Sequence, residues 1–121
     1  MQEQRYGRII NFTTQYIEGT PPTELLAYVT AKSALSGFTK SLAVECAPFG
    51  ITVNMISPGM TDTELIADIP EKTRLMTAAK TPLRRLAEPG DIAGAVSYIA
   101  SESAGFVTGE TFRINGGQVM L

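Results

Sequence analysis

Tyr28 and Lys32 are the residues of this chain whose types and spacing could move a proton. They lie in Ala27-Tyr28-Val29-Thr30-Ala31-Lys32-Ser33-Ala34, one four-residue step apart. On a helix that step puts both side chains on one face, a turn from each other. A free tyrosine titrates near ~10 and is a poor proton carrier at neutral pH. An ammonium held close favours the phenolate and draws that value down. At an effective dielectric of ~20, two unit charges at ~4 Å interact by roughly 4 kcal/mol, equivalent to up to about three pK units before solvent reduces it. A tyrosine tuned in this way can exchange a proton with a carbonyl oxygen. The plainer reading of the same spacing is an ordinary pair on a helix surface.

Other chemistries are poorly served. The chain has no histidine, which removes Ser-His and Cys-His catalysis and most zinc sites, and no metal-ligand set is expected. Its one cysteine, Cys46, cannot form an internal disulfide and reads as an apolar filler. Hydrophobic residues make up 44% and charged residues 18% of the 121, a globular balance. The net charge of -2 suggests no nucleic-acid surface. The polar start, Met1 to Arg5, is no signal peptide, and no apolar run reaches the ~18 residues of a membrane span. These features predict a soluble, cytoplasmic domain with no membrane partner.

The elements that must position the pair follow from pattern. Arg8–Phe12 reads as a short buried strand, followed by Thr13, Thr14 and a loop carrying Gly19, Pro21 and Pro22. A helix is expected over about 24–46, with Leu35, Phe38 and Leu42 at helical spacing and Pro48 and Gly50 ending it. Ile51–Ile56 is a β-branched strand broken by Ser57-Pro58-Gly59. The span 61–80 reads as a helical flap, 89–100 as a helix with stripe Ile92, Val96 and Ile99, and 111–115 as a last strand. Strand, helix, strand, helix, strand predicts an α/β fold, a parallel βαβαβ sheet in one partial domain. Reactive groups in such sheets gather beyond the carboxyl ends of the strands, where Thr13, Thr14, Pro58, Gly59 and Thr61 to Thr63 fall.

In this order and at these spacings the chain resembles the short-chain dehydrogenase/reductase family, in particular its classical β-ketoacyl-acyl carrier protein reductase-like members. The resemblance rests on Gly7-Arg8-Ile9-Ile10-Asn11, Tyr28-x-x-x-Lys32, Gly50-Ile51-Thr52-Val53-Asn54-x-Ile56-x-Pro58-Gly59 with Thr63 four beyond, Thr108-Gly109 and Asn115-Gly116-Gly117. It implies an NAD(P)-dependent oxidoreductase acting on a carbonyl or alcohol, with a 3-oxoacyl thioester as first choice. Tyr28 would be the general acid-base. Lys32 would hold the nicotinamide ribose. Pro58, Gly59, Thr61 and Thr63 would contact the cofactor, although Thr63 also suits a helix N-cap and Pro58-Gly59 a simple turn. The span 61–80 looks like the substrate flap, and the Tyr28 helix and last strand look like contacts of a homo-oligomer.

The chain departs from that pattern in two ways. Thr14 stands at the family's serine position, fourteen before Tyr28, keeping the hydroxyl but adding a methyl and a restricted rotamer. It reads either as the catalytic substitute or as a plain strand-end residue. No Gly-x-x-x-Gly-x-Gly loop is present, so no turn here is built to cradle a pyrophosphate. By resemblance the chain supplies the C-terminal half of a Rossmann-type doubly wound sheet, with an open edge on its first strand and bare helix faces. Two readings follow: the catalytic half of an NAD(P)-dependent reductase that needs the missing N-terminal half, or an inactive remnant acting as a self-associating or interaction module.

Overall fold

The computed structural model describes residues 1–121. Three parallel strands, β1 (Gly7–Phe12), β2 (Ile51–Pro58) and β3 (Thr111–Ile114), lie in the order β1-β2-β3. Helix α1 (Leu26–Cys46) joins the first two, while α2 (Glu71–Lys80) and α3 (Pro89–Ala100) lie between the second and third. The α/β reading and the partial parallel sheet are therefore as the sequence implied.

Strand β2 is the axis of the molecule. Ile51 to Ser57 are all buried, and the strand pairs with β1 from Gly7↔Ile51 to Phe12↔Ile56 and with β3 from Met55↔Thr111 to Pro58↔Ile114. Side chains alternate across it. Ile51 and Val53 pack on Ala43 of α1, joined by Ile9, Leu42, Cys46 and Phe49. On the opposite face the Arg8 guanidinium donates to the Ser101 carbonyl just beyond α3. The fully buried Asn54 is satisfied at both ends of its amide, donating to the Val107 carbonyl and accepting from the Glu110 N–H. It thereby holds the loop that feeds β3.

Helix α1 starts at Leu26, two residues later than the pattern suggests, because Glu24 takes a left-handed φ of 67° that no helix admits. Its inward stripe also differs from expectation. Leu35, Thr39, Leu42, Ala43 and Cys46 turn toward the sheet, whereas Phe38 is 56% exposed. A polar residue in that stripe is tolerable because the Thr39 hydroxyl donates to the Leu35 carbonyl and accepts from the Asn11 amide. The helix runs out through a 3₁₀ turn to Gly50 at φ 69°, where a side chain would strike the Arg5 carbonyl.

The remaining differences are local. β2 runs on to Pro58, and β3 stops at Ile114, one residue short of the expected end. The span 61–80 is a 3₁₀ turn (Glu64–Ile66) followed by α2, rather than one helical piece. Strand β1 is only half-buried, since its far side has no neighbouring strand. Only 18 of 121 residues are buried, so the core is thin and much apolar surface stays bare: Leu26, Leu65 and Phe106 are almost wholly exposed. No helix is long and apolar enough to cross a membrane.

Candidate active site

Tyr28 and Lys32 occupy the first two turns of α1, beside the carboxyl end of β1. The Lys32 ammonium donates to the Phe12 carbonyl over 2.7 Å and stands 5.8 Å from the centre of the Tyr28 ring. Phe12 is the last residue of β1, so the strand end itself anchors the lysine. Tyr28 is 44% exposed, and its ring is open to solvent from outside the chain.

Thr14 lies just past the same strand end and is buried, at 5% exposure. Its Oγ1 accepts from the Tyr16 N–H at 3.4 Å, capping a 3₁₀ turn (Gln15–Ile17), and donates to no atom of the chain. Thr13, its neighbour, spends its hydroxyl on the Ile56 carbonyl. Of the two, Thr14 is the one with a proton still to give. Burial pushes the Tyr16 phenol above its ordinary value, and the nearness of Tyr28 adds to the shift. Tyr16 therefore stays a neutral phenol beside the site.

Pro58 and Gly59 close β2 at the same end of the sheet. The Gly59 N–H donates to the Ile114 carbonyl, and a Cβ there would lie 3.0 Å from Asn115 Cα, so the two chain segments meet backbone to backbone. The Thr61 hydroxyl donates back to the Gly59 carbonyl, and Thr61 itself bridges Ala87. Thr63 stands at the N-cap position of the Glu64–Ile66 turn but makes no side-chain cap; its hydroxyl reaches only the Thr61 carbonyl, at 3.5 Å. The alternative reading of Thr63 as a helix N-cap is thus not what its side chain does.

Two features carried no sequence signal. Glu18 is 10% exposed, pairs with Arg113 at 2.9 Å and accepts from the fully buried Ser57 hydroxyl at 3.1 Å. One carboxylate thus ties the loop after β1 to the ends of β2 and β3. The second is Gln118, beyond β3, which hydrogen-bonds both Gln15 and Thr81. Partners 103 and 37 residues away leave no local pattern to read.

The residues present fit the nicotinamide end of a dinucleotide: an ammonium, a phenol and a set of hydroxyls around a close-packed glycine. They do not fit its pyrophosphate end. The start of α3 is closed by its own carboxylates, Glu88 and Asp91. The Arg85 guanidinium and the Glu88 N–H hold the Asp91 carboxyl well below the usual carboxylate range. Helix α2 opens on Pro70-Glu71 and α1 on Leu25-Leu26, neither with a glycine turn that would leave N–H groups free for an anion.

A cavity of about 420 Å³ lies elsewhere, between Gly59-Met60, Leu83, Arg85 to Ala87 and Asn115 to Gln118. It shares Gly59 with the site but does not include Tyr28 or Lys32.

Comparison with known proteins agrees with this fold. The family model described as enoyl-(acyl carrier protein) reductase matches residues 1–118. Nodulation protein G of Azospirillum brasilense is 45% identical over 118 residues, covering 97% of this chain and 47% of that protein. The 3-oxoacyl-[acyl-carrier-protein] reductase FabG of Vibrio cholerae is 41% identical, over 100% of this chain and 49% of its own length. A crystal structure of a 3-oxoacyl-[acyl-carrier protein] reductase from Brucella melitensis superposes with a TM-score of 0.93 at 34% identity, covering 100% of this chain and 45% of that one. A second, with bound NAD, gives 0.89 at the same identity. The chain spans about half the length of the curated relatives it matches. It belongs to the short-chain dehydrogenase/reductase family, beside the 3-oxoacyl-[acyl-carrier-protein] reductases.

Proposed function

We propose that this chain is the catalytic half of an NAD(P)-dependent oxidoreductase that reduces the ketone of a 3-oxoacyl thioester, or oxidises the matching alcohol. The observation that carries the reading is the placement of Tyr28 and Lys32 on one face of α1, with the lysine fixed to the end of β1. A bound nicotinamide supplies or receives the hydride. Tyr28 exchanges the proton with the carbonyl oxygen. The Thr14 hydroxyl, with its free proton, donates to that oxygen and orients it. Lys32 has two further ammonium hydrogens beyond the one given to Phe12, and these suit ribose hydroxyls. Pro58, Gly59, Thr61 and Thr63 line the cofactor's path past the end of β2, and the span 61–80 covers the substrate.

Such a site needs a glycine-rich phosphate loop, supplied by residues beyond these 121 in the same polypeptide or another. Titrating NADPH and NADH into the 121-residue chain by calorimetry tests this. We expect no micromolar binding by the chain alone, and binding once a segment carrying that loop is added. Micromolar binding to the isolated chain would overturn the division of labour. A Tyr28→Phe variant that keeps full turnover in the reconstituted enzyme would overturn the role of Tyr28.

A second reading is favoured by the unpaired side of β1 and the bare Phe38, Val44 and Leu26 on α1. On that reading the chain is a self-associating module without turnover. Sedimentation showing a monomer at all concentrations would exclude it.

A further inference from the structure

We propose that Gln118 is a positioning residue that sets the flap against the Thr14 loop. The proposal rests on the assignment of Thr14 and the 61–80 flap to the substrate side of the site. Three hydrogen bonds run in one direction, two of them made by Gln118. Gln15 Nε2 donates to Gln118 Oε1 at 2.5 Å, Gln118 Nε2 donates to Thr81 Oγ1 at 2.6 Å, and Thr81 Oγ1 donates to the Thr77 carbonyl at 2.8 Å. Gln15 follows Thr14 directly, and Thr81 is the C-cap of α2. One amide therefore joins the residue beside the proposed substrate donor to the last turn of the flap helix.

The ends of this link are well enclosed. Gln15 is 7% and Thr81 3% exposed. Gln15 Oε1 is buried without a partner, so its bond to Gln118 is the only polar hold on that side chain. Gln118 is itself fixed by a folded tail: its N–H donates to the Asn115 carbonyl, while the Asn115 side chain donates to the Val119 carbonyl and accepts from the Gly117 N–H. Gln118 Oε1 also lies against Gly59, 3.2 Å from where a Cβ would stand. The tail thus touches three segments of the proposed site through one side chain. An amide suits the task because it accepts on one side and donates on the other, which an apolar side chain of the same length cannot do.

The test is a coupling experiment by NMR on the 121-residue chain, with no cofactor or substrate present. Thr81→Val removes the flap end of the link. We expect it to shift the Gln15 side-chain amide and Tyr16 N–H resonances when Gln118 is present, and to leave them unmoved in the Gln118→Met background. Gln118→Met should also speed exchange of the Thr81 and Leu83 N–H groups by about two- to tenfold, the loss of one net hydrogen bond, without changing Val53 or Met55. Equal Tyr16 shifts in both backgrounds would overturn the proposal, because flap and loop would then communicate through packing alone. Should Gln118→Met fail to fold, Gln15→Met cuts the link from the other end: faster exchange at Thr81 supports it, and unchanged exchange overturns it. Because no ligand enters either measurement, failure of the cofactor titration would leave this result standing, and the reverse.

Discussion

The ammonium of Lys32 lies 5.8 Å from the centre of the Tyr28 ring and is held there by the Phe12 carbonyl, not by the tyrosine. The strand end, rather than the helix, therefore fixes the height of the positive charge above the sheet. Tyr28→Phe keeps this arrangement and removes only the phenol hydroxyl, the proton carrier of the proposed function. In the reconstituted enzyme we expect kcat to fall at least about a hundredfold, with far-ultraviolet circular dichroism unchanged. Steady-state kinetics on a 3-oxoacyl thioester would measure it.

Gly59 admits no side chain without displacing Asn115, whose Cα is backbone and cannot rotate away. Gly59→Ala should destabilise the chain by about 1–3 kcal/mol. It should also disturb the Gly59 to Ile114 hydrogen bond, so urea unfolding and the exchange rate of the Gly59 N–H should change together.

Glu18 serves Arg113 and Ser57 at once from a nearly enclosed position. Glu18→Ala leaves the Ser57 hydroxyl buried without its acceptor and Arg113 without its counter-ion. Arg113 keeps about a third of its exposure and can turn to water, which limits the loss. We expect a loss of about 1–3 kcal/mol in chemical denaturation, less than for a fully enclosed pair. Ser57→Ala on top of it should add little, since the two changes break the same bond.

Tyr16 gives an alkaline signature. Its phenol is raised above 10.0 in the folded chain, so the folded state holds that proton more tightly than the unfolded state does. The resulting stability is fully present below the unfolded value and is lost as pH rises through the folded one. Tyr16→Phe should flatten the decline in thermal midpoint between about pH 9 and 12. Absorbance titration of phenolate should lose a component lying above the ordinary tyrosine range in the same variant.

The sequence made the βαβαβ order legible because strand and helix periods alternate cleanly along it, and it made Tyr28 and Lys32 legible because a four-residue step on a helix is local geometry. It did not reveal the orientation of Phe38. Helical spacing marks a stripe but cannot say which side of a stripe meets the sheet, and Thr39, a polar residue, took the inward place by satisfying its hydroxyl on Leu35 and Asn11. The start of α1 was misplaced for a similar reason, since nothing in Thr23-Glu24-Leu25 announces a left-handed turn. Thr14 was placed beside the site by counting, but its free hydroxyl proton follows from Tyr16 capping, a three-dimensional fact. Gln118 and Glu18 act through partners distant in sequence, and no periodicity encodes them.

The unpaired side of β1 has a thermodynamic consequence. A parallel strand with one row of backbone groups facing outward, next to a core drawn from only 18 buried residues, folds in competition with association. Where a second body covers that edge, folding and binding become one equilibrium, and mass action enters the stability itself. Each tenfold change in protein concentration then moves the folded state by on the order of 1.4 kcal/mol. In that case the melting temperature would become a function of how much of the chain, or of the body covering its edge, is in the tube.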